Sequence, residues 1–284
     1  MERGIVTSAA FADVDGDGWP DLVVAGEWMG VKIFRNHRGV FREDEIAGST
    51  GLWQTVAIAD VNGDGYPDIL AGNWGHNSKL SAGKDGPLKL YVKDFEHSGT
   101  VQQLMTYGIG GVEYPFMGKD QLELALPLLK HSRLRYDEVA GKSVQGLFGT
   151  MLDSSRVYKA EMLGSACFLN DGKGNFSPAS LPWELQLAPV FGFLELGGGS
   201  WMAVGNFYGV QPFEGKYDAL NPTVFSYDKG LRYSCELAGL SGEFRDAKWV
   251  RGAHGRLLVL ARNNGEPVFL REGVKHPPAD SSKD

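Results

Sequence analysis

The sequence predicts an all-β chain: a β-propeller, or part of one, of about five blade-like units, with a small helical insertion at about 107–150. Three observations predict it. An acidic nine-residue motif recurs at an offset of 47 residues, from Asp13 to Asp60 and from Asp21 to Asp68. That is the length of chain a four-stranded blade occupies. Thirty-nine glycines and thirteen prolines favour many short strands joined by turns. Apolar runs of strand length flank both copies of the motif.

The first unit begins with Ala9-Ala10-Phe11-Ala12 and enters Asp13-Val14-Asp15-Gly16-Asp17-Gly18-Trp19-Pro20-Asp21. Leu22-Val23-Val24 follows, Val31–Phe34 alternates apolar with polar, Asn36–Gly39 turns, and Val40-Phe41 returns. Alternation with Gly-bearing turns is hairpin chemistry. The second unit repeats the scheme through Val56–Ala59, Asp60–Asp68 and Ile69–Gly72.

Each motif places side-chain oxygens at its first, third, fifth and ninth positions and Gly at the sixth. A hard divalent cation such as Ca²⁺ takes six to eight oxygens, and alternating positions of a tight loop supply most of them. The EF-hand is excluded, because its twelfth position must be Glu. Here that position is Val24 or Ala71. The competing reading is a pair of metal-free acidic turns. It must tolerate four carboxylates in the first loop and three in the second repelling one another.

After Trp74 the period breaks. Gly75–Gly86 reads as a polar loop and Leu88–Val92 as a strand. Asp94–Thr100 reads as a worn copy of the acidic loop, with Gln102 at its ninth position. Asp120-Gln121-Leu122-Glu123 resembles a capping box. Leu122, Leu126 and Leu129 fall at helical spacing, and Pro127 restarts the helix. Ser132–Gly141 and Ser143–Phe148 read as two more short helices. The whole insertion is expected to pack on the β scaffold within one domain, 1–275.

From Ser165 the β pattern resumes. Asn170–Phe176 turns into a strand, and Phe193–Asn206 and Trp249–Asn264 keep strand–turn–strand without the acids. The tail, 276–284, reads as disordered.

The acidic units resemble FG-GAP, or VCBS, repeats, the calcium-loop blades of integrin α-subunit propellers and many bacterial surface proteins. Leu88–Thr100, Tyr114-Pro115-Phe116 and Gly205–Tyr208 add a resemblance to the C-terminal region of long Bacteroidetes-type FG-GAP proteins related to the cartilage acidic protein and UnbV group. This likeness implies two structural Ca²⁺ sites. The ligands would be Asp13, Asp15, Asp17, Asp21 and the Trp19 carbonyl, then Asp60, Asn62, Asp64, Asp68 and the Tyr66 carbonyl. It also implies a cell-surface or otherwise extracytoplasmic location. The chain carries no basic, apolar leader and enters the first repeat within a dozen residues of Met1, so it is expected to be part of a longer chain.

The net charge of −7, with no basic stripe, argues against nucleic acid as partner. No window approaches the ~18 apolar residues of a membrane span. Cys167 and Cys235 leave pairing open. Trp28, Trp74 and Phe207-Tyr208 follow strand-ending glycines at equivalent places, beside His76 and Asn206. Such aromatics with polar neighbours suit a glycan or a peptide; packing between blades, the commoner role of Trp at such positions, competes. The expected function is a non-enzymatic binding module with carbohydrate or protein as ligand. The alternative is a calcium-dependent polysaccharide lyase.

Overall fold

The computed structural model describes residues 4–83, 86–132, 135–211, 214–253 and 255–271; the expected tail lies outside them. Five antiparallel sheets are present among these residues.

The first contains β1 (Ile5–Ala12), β2 (Asp21–Met29), β3 (Lys32–His37) and β4 (Val40–Glu45) in chain order. The short β5 (Gly51–Leu52) pairs with the end of β2. Alternation sorts the side chains: Val23 pairs with Ala10 and Ile33 on one face, while Leu22 pairs with Phe11 and Phe34 on the other.

The second sheet starts with β6 (Thr55–Ala59) and β7 (Asp68–Gly72) and is then interrupted. The chain leaves through Asn73 and builds β8 (Leu88–Lys93), β9 (Gln102–Ile109) and β10 (Val112–Pro115). The helices α1 (Lys119–Ala125), α2 (Leu129–Ser132) and α3 (Val144–Phe148) come next, and β11 (Arg156–Lys159) completes a sheet ordered β10-β9-β8-β11. Only then does β12 (Ala166–Asn170) pair with β7, with β13 (Phe176–Ser180) beyond it. The insertion therefore runs from 73 to 165 and carries its own sheet, which corrects the expected 107–150. Residues 102–115 form a β-hairpin, because Gly110 and Gly111 both take positive φ at its turn. The helices begin only at Lys119, and Gly118 caps α1 without a side-chain bond, so the expected capping box is not formed. Leu122, Leu126 and Leu129 are buried together against Leu104 and Phe148.

The third serial sheet is β14 (Val190–Gly197), β15 (Ser200–Gly205), β16 (Thr223–Tyr227) and β17 (Leu231–Glu236). The last is β18 (Glu243–Gly252), β19 (Gly255–Asn263) and β20 (Val268–Arg271). Four sheets thus stack in series: β1 on β6, β6 on β14, β14 on β18. Among the described residues β18 does not pack back onto β1 in the same way. The array is open, so the expected ring is not closed. Val23, Ile33, Ile69 and Phe168 bury between the first two sheets. Leu70, Cys167, Val190 and Phe225 bury between the second and third. Met202, Phe244 and Leu260 bury between the last two. Cys167 is buried, Cys235 is exposed, and neither forms a disulfide.

A polar knot closes the neck of the insertion. Buried Asn73 accepts from Leu52 N (3.1 Å) and Trp74 N (2.8 Å) through Oδ1 and donates Nδ2 to the Met162 carbonyl (3.0 Å). Asn73 N donates to Ser165 Oγ (3.0 Å), and Gln186 both accepts from Ser165 N and donates to its carbonyl. Departing and returning chains are thereby held side by side.

Candidate cation loops and ligand face

The two acidic loops share one backbone design. In the first, Asp13 Oδ1 accepts from Gly16 N (2.8 Å) and Asp17 N (3.1 Å), and Oδ2 accepts from Gly18 N (2.8 Å). In the second, Asp60 accepts from Gly63 N (2.7 Å), Asp64 N (3.1 Å) and Gly65 N (2.9 Å). Both glycines of each loop sit at positive φ, Gly16 and Gly18 at 76° and 88°, Gly63 and Gly65 at 78° and 90°. Residues with a Cβ are strained there, which explains the Gly-Asp-Gly core of the motif.

The ninth-position carboxylates are fully buried. Asp21 accepts from Val14 N (3.0 Å) and from Asn36 N (2.7 Å) at the end of β3. Asp68 accepts from Val61 N (3.0 Å) and from Asn170 N (2.8 Å) at the end of β12. Asn36 and Asn170 return the tie, donating Nδ2 to the carbonyls of Pro20 and Pro67 (3.0 Å each). Asn170 is thus the counterpart of Asn36, although 102 residues separate it from Asp68. Burial pushes both carboxyls above the ordinary aspartate range, against the lowering effect of these N–H donors.

Oxygens of Asp13, Asp15 and Asp21 lie within 4.8 Å of one another, a spacing one divalent cation can bridge. Asp17 is turned aside, with Oδ1 on Trp19 N (2.8 Å) and Oδ2 3.1 Å from His37 Nδ1, and the His37 contact holds its carboxyl low. In the second loop the Asn62 amide donates to Asp64 Oδ2 (2.8 Å). Trp19 and Tyr66 are exposed, and the Tyr66 ring lies against Gly172. The worn loop keeps the frame: Asp94 accepts from Ser98 N (3.0 Å) and Gly99 N (2.7 Å), and Gln102 Oε1 takes the place of the buried Asp on Phe95 N (2.8 Å).

The structure brings together some of the aromatic candidates. Trp74 packs against Phe207 (centroids 5.3 Å) and Tyr217 (5.4 Å), and its buried indole N–H has no partner among the described residues. These rings border a cavity of about 260 Å³ with Glu27, Trp28 and Glu214. Trp28 is 7% exposed and packs on Leu52 and Leu88. Asn206 is spent inside: Nδ2 donates to the Leu220 (2.7 Å) and Gly242 (2.8 Å) carbonyls, and Oδ1 accepts from Leu220 N (2.9 Å). Tyr208 stands apart, its backbone N–H on Glu243 (3.0 Å). His76 opens onto a separate cleft of about 870 Å³ with Glu161 and the exposed Trp183. Sequence reasoning placed Glu27, Asn73 and Tyr217-Asp218 beside these aromatics, and Tyr217 is there; it missed Trp183, which does not follow a strand-ending Gly, the signal used to choose the others.

No helix among the described residues is long and apolar enough to cross a membrane. Neither a curated protein nor a solved structure matches the chain. Repeats of the FG-GAP type are generally extracellular interaction modules. Residues 13–71, the segment that carries both acidic loops, match the family of FG-GAP-like repeats, so the chain carries FG-GAP-like repeats over that segment.

Proposed function

We propose that this protein is a non-enzymatic, extracytoplasmic binding module whose two acidic hairpins each hold a structural Ca²⁺. The observation that carries the proposal is the clustering of Asp13, Asp15 and Asp21 oxygens within 4.8 Å of one another, Asp21 being the buried ninth-position carboxylate. Hard carboxylate, amide and carbonyl oxygens are the donor set Ca²⁺ takes. Asp13, Asp15, Asp17, Asp21 and the Trp19 carbonyl would hold the first ion. Asp60, Asn62, Asp64, Asp68 and the Tyr66 carbonyl would hold the second. Each ion would neutralise mutual repulsion and tie a hairpin down without acting on a substrate.

The ligand is a glycan or a protein segment, docked on the face where Trp74, Phe207 and Tyr217 meet. Aromatic rings beside Glu27 and Glu214 offer stacking surface with hydrogen-bonding rims. A glycan array probed with the purified chain, with and without EDTA, tests the binding role. The expected result is selective retention that Trp74→Ala removes. Chelator-sensitive cleavage on a polyuronate panel would replace this reading with a lyase.

A further inference from the structure

Five aromatic rings among the described residues border the cavity of about 260 Å³: Trp28, Trp74, Phe116, Phe207 and Tyr217. Separate stretches of chain bring them there. Trp28 stands near the end of β2, Trp74 follows β7, and Phe116 follows β10. Phe207 and Tyr217 pair backbone to backbone after β15. Trp74 meets Phe207 and Tyr217 at steep angles, 57° and 78° between planes, so the three rings form a corner and not a stack. Trp28 reaches the wall through an unfavourable backbone. Its φ is 61°, a left-handed value that bulky residues resist, and it lies where the register of β2 against β5 shifts. Strain held at one bulky residue points to a use for the position it imposes.

Two carboxylates stand among these rings, Glu27 and Glu214. Glu214 is paired with Lys79, and the Lys79 ammonium lies over Phe116 (4.1 Å to the centroid) and Tyr107 (5.0 Å). The wall thus already holds one cation as aromatic faces hold them, by the ring quadrupole beside a carboxylate. Glu27 accepts from the Gln54 amide (2.9 Å) and has no ion pair among the described residues. Pro212 and Phe213, which precede Glu214 outside the described set, carry no charge. Two carboxylates and one ammonium leave one negative charge at the cavity. Most of the remaining wall is aliphatic. A guest with N–H groups would find few acceptors there, since a primary ammonium carries three donors and a guanidinium five. A quaternary ammonium carries none and suits an aromatic cage.

We infer that this cavity takes a quaternary ammonium head group, its methyl groups against Trp74, Phe207 and Tyr217 and its charge offset by Glu27. The inference rests on the reading that the face of these three rings receives the ligand, and it names the chemical group that enters. Lys79 neutralises Glu214 beside the site, so removing its charge gives the guest a second free carboxylate.

A ligand-observed NMR titration tests it, following the methyl resonance of choline against the full chain in calcium. The comparison probe is dimethylbutanol, the neutral isostere of choline with carbon in place of nitrogen. Choline is expected to bind at millimolar concentration and dimethylbutanol about tenfold more weakly. Glu27→Gln removes the charge, keeps an acceptor for Gln54, and is expected to weaken choline about fivefold; Lys79→Met is expected to tighten it about threefold. Melting curves verify both folds, and the comparison of the two probes on the parent needs no variant. Equal affinity for the two probes, no choline binding at millimolar concentration, or Glu27→Gln binding as tightly as the parent overturns the inference. Glycan retention that Trp74→Ala removes, alongside any of those results, leaves the binding role standing and removes only the ammonium.

Discussion

Replacing Asp68 by Ala tests the idea that each buried ninth-position carboxylate staples its sheet together. Asp68 is fully buried and accepts from Val61 N at 3.0 Å and Asn170 N at 2.8 Å. The second bond joins β7 to β12 across the entire insertion. Alanine removes both acceptors and leaves two backbone N–H groups without partners. Each buried orphan costs about 1–3 kcal/mol, so the loss is about 2–6 kcal/mol. Asp68→Asn keeps one acceptor oxygen and is expected to lose about half as much. The assay is urea unfolding in EDTA, so that lost cation binding does not contribute. The midpoint should fall with an unchanged slope. A loss below about 1 kcal/mol for Asp68→Ala in EDTA would refute the staple, since it is less than a single orphaned donor should cost.

Three further outcomes are expected. Calcium at about 100 times Kd should stabilise the chain by about 2.7 kcal/mol per site, seen as a melting rise that Asp13→Asn with Asp60→Asn removes; a melt indifferent to EDTA contradicts it. Glu243 is buried, which alone would raise its pKa, but Tyr208 N, the Asn263 amide and Arg245 hold its carboxyl below the usual range. Its stabilisation is therefore present at neutral pH and lost as pH falls below the ordinary glutamate value of 4.5. Glu243→Gln should cost about 1.5–3 kcal/mol at pH 7 and little at the acid end, checked by urea midpoints across pH. Asn170→Ala should destabilise like Asn36→Ala, by about 1–3 kcal/mol on the same assay, because each amide donates to the corresponding proline carbonyl of its loop, Pro67 or Pro20.

The strands and turns of the acidic units were legible because they follow simple rules. Apolar runs and the alternation of Val31–Phe34 marked the strands, and Gly at the sixth position of each motif and in Asn36–Gly39 marked the turns. About five blade-like units were expected; five sheets are present among the described residues, but one of them belongs to the insertion and Ala166–Ser180 joins the second repeat. The nesting was not legible. Leu88–Val92 alternates like any repeat strand, so periodicity alone could not tell that it pairs with β9 and β11 instead of β7. The clue was Asn170: an Asn closing a short apolar strand before a Gly-bearing turn, as Asn36 does, marks the third strand of a unit. Its partner lies across a long loop, and loop closure costs little more as loops lengthen. The ligand face was legible only in part, because Asn206 shares the local signature of Trp74 yet is spent on interior hydrogen bonds, and Trp28 is almost wholly buried at the cavity's edge. Which side of a strand end meets solvent depends on the sheet stacked beside it.

Isothermal titration of the chelator-stripped chain with CaCl₂ addresses the central claim most directly. Two ions per chain are expected, falling to one in Asp13→Asn or Asp60→Asn. Heats no larger than dilution at millimolar calcium would contradict the account.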